Sequence, residues 1–397
     1  MKHLYISILF IISSLITFGQ TYDPYVDNIV NAVSMDSLIY QLRNLSGEDE
    51  VIIDGETTTI EHRVAGWGNN LAASYLFQEM EKLGYEAQYH DYSLSGKNVY
   101  AIKEGSLYPD EYIMICAHYD AVDYVCADDN ASGCAAVIEA ARIFKDLEFE
   151  YSIIYAFWDE EEIGLIGSDA YASEAASNGD IILSVINMDM IAWDADGDMV
   201  AELHSSYNAN SVELADYMVE VNSIYGIEVN PEVQLPGTTA SDHASFWNNG
   251  YPSVLVIEEY YGGDFNPYYH TEQDQIDILH MDYFLGMSKL SIASLASKAV
   301  LDVNVGSEEL ANTDLRLLVF PNPAVDHAQI TCQLDQSEYA QISLFNNMGQ
   351  LVSVLHQGEL TMDQFQMNLP LAKIPKGVYF VKVESNSGIG TQKLIVN

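Results

Sequence analysis

Apolar residues along this chain come in two rhythms. Uninterrupted runs at 98–101, 112–117, 152–158, 181–188 and 253–257 have no polar face, which predicts short strands buried on both sides. Elsewhere apolar positions recur every three to four residues. The stretches 22–45, 69–83, 132–145 and 211–225 read as helices, the second with Leu71, Tyr75, Leu76 and Met80 on one face and Gly84 as its stop. Strands alternating with helices predict an α/β fold with a mostly parallel sheet flanked by helices.

In such sheets ligands gather at the carboxyl ends of the strands. His118 and Asp120 follow the run at 112–117, Asp159-Glu160-Glu161-Glu162 follows 152–158, and Asp189 follows 181–188. Asp128-Asp129-Asn130-Ala131-Ser132-Gly133 opens the helix at 132–145. Four carboxylates at the exit of an apolar strand repel one another and lose solvation, so water, a cation or a shared proton must compensate. A single acid there is ordinarily a turn former, and a solvated turn entering a helix would account for the acidic run alone. Three strand ends carrying metal-capable residues favour a divalent cation.

Charge sharpens this picture. A formal net charge of -44, from 59 acids against 15 Lys plus Arg, argues against a nucleic-acid partner. No Lys or Arg occurs between Lys145 and Lys289, the interval holding most of the candidate site, so a metal or a cationic substrate is favoured there. Residues 1–20 carry Lys2, then an apolar stretch from Leu4 to Phe18 and a polar end, the pattern of a signal peptide rather than a membrane span. No other stretch approaches the roughly 18 apolar residues of a transmembrane segment. Cys116, Cys126, Cys134 and Cys332 read as buried thiols more than as a disulfide framework, and the absence of a CxxC pair removes the usual structural zinc site. A length of 397 residues suggests two folded units, in a protein taken as a monomer by default.

Six segments, in order, resemble one family. They are Ala117-His118-Tyr119-Asp120, residues 128–133, Glu161-Glu162-Ile163-Gly164-Leu165-Ile166-Gly167-Ser168, Asn187-Met188-Asp189-Met190, Ser241-Asp242-His243 and Tyr269-His270-Thr271. Together they resemble the co-catalytic dizinc exopeptidases typified by secreted bacterial leucine aminopeptidases. The resemblance implies two Zn2+ bridged by Asp129, with His118 and Asp189 on one ion and Glu162 and His270 on the other. Imidazole nitrogen and carboxylate oxygen are the donors a catalytic zinc takes. It further implies that Glu161 is the general base, taking a proton from a water that bridges the ions and passing it to the leaving amine. Asp120 is placed to orient His118. Tyr269 either donates to the oxyanion or is an aromatic wall. Asp242 and His243 are expected as scaffolding, Asp159 and Glu160 as solvated turn residues, and His62 and His90 receive no role.

The missing cations bear on the substrate. A carboxypeptidase grips a terminal carboxylate with Arg or Lys, yet the four arginines are Arg43, Arg63, Arg142 and Arg316, none within 146–288. Peptides with a free N-terminus are therefore the expected substrates. Met190, Trp193, Tyr260, Tyr261 and Phe265 are candidates to wall a pocket for a bulky apolar first side chain. The alternatives are a glutaminyl-peptide cyclotransferase, a carboxypeptidase on the same fold, or a surface-binding protein with a disabled site. The intact ligand set speaks for the aminopeptidase.

After Val305 the character changes. A polar linker at 306–316 precedes short alternating runs at 317–320, 328–334, 340–345, 351–355, 364–369, 377–383 and 391–396, which predict a small all-β sandwich. Phe320-Pro321-Asn322-Pro323, Asn347-Met348-Gly349-Gln350, Lys376-Gly377-Val378-Tyr379 and Lys393-Leu394-Ile395-Val396-Asn397 resemble the C-terminal sorting domain of the type IX secretion pathway of Bacteroidetes. The end departs from the family, many of whose members finish on Lys. The resemblance implies the type IX machinery as a partner and a secreted or cell-surface location. The expected layout is a signal peptide at 1–20, a zinc peptidase domain at 21–305, the linker, and a sorting domain at 317–397.

Overall fold

The computed structural model describes residues 22–301 and, beyond them, 317–396 apart from 323, 326, 333–337, 347–350, 361–364, 372 and 386–387. The segments read as signal peptide and linker lie outside the described residues. The chain divides into two compact units, Met1–Asp302 and Val303–Asn397.

The larger unit opens with helices α1 (Pro24–Ala32) and α2 (Met35–Leu45), a small hairpin of β1 (Val51–Ile53) and β2 (Glu56–Thr58), and α3 (Trp67–Lys82). Then follow β3 (Ala87–Asp91), β4 (Lys97–Lys103), β5 (Tyr108–His118), α4 (Gly133–Phe144), β6 (Tyr151–Trp158), α5 (Ile166–Asn178) and β7 (Ile181–Met188). β8 (Val200–His204), α6 (Ser211–Tyr225), β9 (Asn230–Gln234), α7 (His243–Asn248), β10 (Ser253–Ile257) and α8 (Met281–Ala299) complete it. Eight strands form one sheet in the order β3-β4-β6-β5-β7-β10-β8-β9. Its centre, β6-β5-β7-β10, is parallel, while β3 and β4 on one side and β8 on the other join antiparallel. The expected sheet flanked by helices is present, extended by β3, β8 and β9, which carry no continuous apolar run.

Alternation along β5 assigns the two faces of the sheet. Ile113, Ile115 and Ala117 enter the main core with α4 and α8, whereas Met114 and Cys116 face a second cluster with Ala172 and Ala175 of α5 and Phe246 of α7. Trp158, the last residue of β6, is fully buried there, its ring 5.0 Å from Tyr171 and 5.8 Å from Phe246. Truncating such a ring to Ala costs about 3–5 kcal/mol. His118 pairs in register with Trp158, Cys116 with Asn187, and Val256 with Met188. The four central strands therefore end nearly level, and whatever follows them shares one rim.

The smaller unit is antiparallel: β11 (Leu318–Phe320), β12 (His327–Cys332), β13 (Glu338–Asn346), β14 (Leu351–Leu360), β15 (Phe365–Pro370), β16 (Gly377–Ser385) and β17 (Gly388–Val396). They pair as sheets β11-β12-β15 and β14-β13-β16-β17. Ala328 and Ile330 from the first sheet share one apolar cluster with Ile342, Leu344, Val381 and Leu394 from the second, so the sheets pack face to face.

Candidate metal centre

The rim gathers the five expected ligands. His118 ends β5, Asp189 follows β7, Glu162 lies in the loop after β6, Asp129 in a turn spanning Ala127–Ser132, and His270 in the loop after β10. Nε2 of His118 stands 3.3 Å from Asp129 Oδ1 and 3.3 Å from Asp189 Oδ1. Nε2 of His270 stands 3.3 Å from Asp129 Oδ2 and 2.9 Å from Glu162 Oε2. Asp129 thus offers one oxygen to each imidazole. Ligands of a tetrahedral ion bonded at about 2.0–2.1 Å stand about 3.3 Å apart. Asp129 Oδ2 and Glu162 Oε1 are buried without a hydrogen-bond partner, and such orphaned carboxylate oxygens require a cation or a proton. The donor set and these orphans fit a divalent ion such as zinc, with His118, Asp129 and Glu162 closest together.

Tautomer and charge agree with that fit. The ring nitrogen Nδ1 of His118 lies 3.2 Å from the carbonyl of Asp120, which can only accept. Nδ1 therefore donates, and Nε2 is the nitrogen that faces the acids. Burial opposes a charged His118, but Asp189, Glu161, Asp120 and Asp129 raise its pKa well above the ordinary value. Burial likewise opposes charge on His270, yet Asp129 and Glu162 push it up to about 10. Burial and the charge of Asp129 raise Glu162 to about 7. Carboxylates this crowded call for positive charge among them, which a divalent metal supplies.

Local structure explains how the rim is built. Asn130 donates through Nδ2 to Met188 O at 2.9 Å and accepts Gly133 N–H at 3.0 Å, while Ala192 N–H reaches Asp128 Oδ1 at 2.9 Å. These bonds fasten the Asp129 turn to the exit of β7. The loop after β6 reverses tightly: Gly164 and Leu165 both donate to Glu161 O at 2.9 Å, and Gly164 has φ +122°, open to glycine at little cost. Asp120 holds this loop, its Oδ1 and Oδ2 accepting Glu161 N–H at 3.1 Å and Glu162 N–H at 3.2 Å. Its Oδ1 is also 3.4 Å from His118 Nδ1. Asp120 thereby ties β5 to the loop bearing Glu161 and Glu162.

Glu161 stands beside these groups without one of the close imidazole contacts that Glu162 makes. Burial, with Asp189, Asp242 and Glu162 and against the pull of His118, raises its carboxyl well above the usual range. The ring of Tyr269 stacks on His270 at 3.6 Å, and burial with Asp129, Glu162, Asp189 and Glu161 raises its hydroxyl pKa. Met190 packs with Leu255, Ile257, Tyr260 and Phe265, and Phe265 reaches Tyr269 at 5.3 Å. Trp193 instead meets Tyr268 and His280, and Tyr261 packs on His204. Tyr261 also meets Tyr260 of the apolar group, their ring centroids 5.2 Å apart.

One expectation is corrected. Asp159 is no solvated turn residue: it is buried, and its carboxylate accepts Asn69 Nδ2–H at 2.8 Å, Glu160 N–H at 2.9 Å and Lys97 N–H at 3.1 Å. It anchors the start of the acidic loop. Asp242 is fully buried with both carboxyl oxygens unpartnered, and burial raises it to about 7. His243 is buried with Nε2 2.9 Å from Thr238 O. Sequence reasoning missed two residues that grip the Asp129 turn, Arg63 and Asp274, treated below. The spacing of Asp274, four residues after His270, was the available signal.

A parallel-centred sheet with imidazoles and carboxylates converging at its strand ends defines the class: an α/β domain with a cation-seeking centre. Residues 98–294 match peptidase family M28, and residues 318–397 match the secretion system C-terminal sorting domain. A probable leucine aminopeptidase of Trichophyton verrucosum is 25% identical over 248 residues, covering 56% of this chain and 64% of the relative. Leucine aminopeptidase 1 of Coccidioides posadasii is 29% identical over 199 residues, covering 46% and 50%. The chain therefore spans about half to two thirds of the length of these relatives. The LapA aminopeptidase of Legionella pneumophila shares the fold at a TM-score of 0.63 and 21% identity, over 75% of this chain and 77% of that one. A glutaminyl cyclase of Porphyromonas gingivalis shares it at 0.53 and 16%, over 67% and 99%.

Proposed function

We propose that the larger unit is an aminopeptidase that holds two zinc ions, His118 and Asp189 on one, Glu162 and His270 on the other, with Asp129 shared. The observation that carries this reading is the Asp129 carboxylate, whose two oxygens each lie 3.3 Å from a different imidazole. Bound zinc supplies Lewis acidity and lowers the pKa of water. The chain's own residues do the rest. Glu161, its carboxyl raised by burial, takes a proton from the attacking water and delivers it to the departing amine. Tyr269 O–H donates to the oxyanion that forms on the scissile carbonyl. Asp120 keeps Glu161 in reach by holding its backbone N–H.

A free N-terminus is the favoured end of the substrate. The interval 146–288 holds no Lys or Arg, and the guanidinium of Arg63 is spent on backbone carbonyls, so neither offers a cation to a terminal carboxylate. Met190, Tyr260 and Phe265 are the apolar wall for a bulky first side chain. Residues 1–20 direct export, and the sorting domain carries the protein through the type IX machinery to the surface or beyond. Among the described residues no helix is long and apolar enough to cross a membrane. The test is zinc titration of metal-free protein: two equivalents restoring peptide hydrolysis support the reading, and full activity at one equivalent opposes it.

A further inference from the structure

The backbone of the turn that presents Asp129 is held from both sides by two buried side chains of opposite charge. We propose that Arg63 and Asp274 are positioning residues that together set the Asp129 carboxylate between the two ions. The proposal rests on the two-ion reading above.

Arg63 is 1% exposed, and its five hydrogen bonds all run to backbone carbonyls. Nη2 donates to Cys126 O at 2.6 Å and Asp129 O at 3.2 Å. Nη1 donates to Leu45 O at 2.6 Å and Val125 O at 2.9 Å, and Nε donates to Tyr119 O at 2.9 Å. Asp274 is fully buried and answers from the amide side. Its carboxylate accepts Asp128 N–H at 3.0 and 3.1 Å and Asp129 N–H at 3.1 Å, and its carbonyl accepts Ala127 N–H at 3.0 Å. Carbonyls of the turn thus face a cation and its amides an anion, so the peptide dipoles lie along the field between them.

This clamp reaches three of the ligand segments. Tyr119, whose carbonyl Arg63 holds, lies between His118 and Asp120. Asp274 is four residues beyond His270, and its N–H closes a turn on Thr271 O at 3.1 Å. Both residues grip the backbone of the turn rather than a ligand side chain. Burying a lone charge is strongly unfavourable unless its hydrogen-bonding groups are met, and here they are met by the strand-end segments that carry the site. Lysine at 63 offers a single point with three donors and cannot reproduce a planar five-donor fork. Asparagine at 274 keeps the shape but turns an NH2 group toward backbone N–H groups.

The experiment compares D274N, R63K, D274E and the double variant D274N/R63K with the zinc-loaded wild type, and uses L38A, a fully buried apolar position on α2, as a purely structural control. Zinc affinity is read by competition with a chromogenic chelator, kcat and KM by steady-state hydrolysis, and Tm on metal-free protein. D274N and R63K should weaken zinc by about 10- to 100-fold and lower kcat while KM stays within about twofold. The double variant should lose less than the product of the single losses, because both act on one turn. D274E should recover part of the loss, and L38A should lower Tm without moving zinc affinity. Wild-type zinc affinity and kcat in D274N, with only Tm reduced, would overturn the proposal, and D274N with D274E decides the matter if R63K does not fold. Fewer than two ions in the wild type would count against the two-ion reading instead, and the clamp is then judged on the ion that does bind.

Discussion

Nε2 of His118 stands 3.3 Å from Oδ1 of Asp129, the spacing of two ligands on one tetrahedral zinc. His270 repeats that spacing at the other oxygen of the same carboxylate. A centre so arranged gathers negative charge that only cations can balance, and its behaviour should follow from that.

Chelation should abolish activity, and added zinc should restore it. Metal that binds only the folded state stabilises it by about 4 kcal/mol when free zinc is a thousandfold above its Kd. Calorimetry should therefore show a lower Tm for the metal-free protein, recovering as zinc is added. An unchanged Tm would mean that the five residues do not hold a metal.

Glu161→Gln should separate the base from the ligands. It keeps the size of the side chain but removes the proton acceptor, so kcat should fall by roughly 10²- to 10⁴-fold. Zinc content should stay at the wild-type value. Glu162→Gln should instead lose one ion, and a Glu161 variant deficient in zinc would exchange the two roles.

Asp120→Ala removes the acceptor of Glu161 N–H and Glu162 N–H and a partner of His118. Its loss should lower kcat by about 10- to 100-fold, the usual cost of removing an outer partner of a metal site. KM should change little, because Asp120 faces the protein. An effect confined to KM would place Asp120 on the substrate instead.

The parts of this site that were legible in the sequence are those that depend on strand ends. His118, Asp189 and the acidic run follow apolar runs that must be buried, and a parallel sheet brings such ends together wherever its strands are level. Strands outside the parallel centre were not legible: Val200–His204 puts Glu202 and His204 in the interior, 2.7 Å apart, and Asn230–Gln234 is polar along a sheet edge. Asp159 was misread for a related reason. Its charge looks solvated in sequence, but three donors from 69, 97 and 160 converge on it only in the fold. Arg63 escaped notice because its partners are carbonyls, which have no sequence signature.

His243 gives a pH dependence unconnected with the metal. Burial, aided by His204 and opposed by Thr238, lowers its pKa from 6.5 to about 3. The unfolded chain takes up a proton below about 6.5 while the folded protein declines it until about 3. The stabilisation is complete above that window and is lost as pH falls through it, at about 1.4 kcal/mol per pH unit. Urea unfolding of the wild type and His243→Gln should therefore show stability curves that converge as pH drops from 7 to 4. Curves that stay parallel would mean that His243 accepts its proton in the folded state.

An aminopeptidase requires a free N-terminus, and the most direct measurement compares leucine 4-nitroanilide with its N-acetylated counterpart on the zinc-loaded protein. Hydrolysis of the free-amine substrate alone is expected, lost in Glu161→Gln. Cleavage of the acetylated substrate, or of neither while glutaminyl peptides cyclise or C-terminal residues are released, would contradict it.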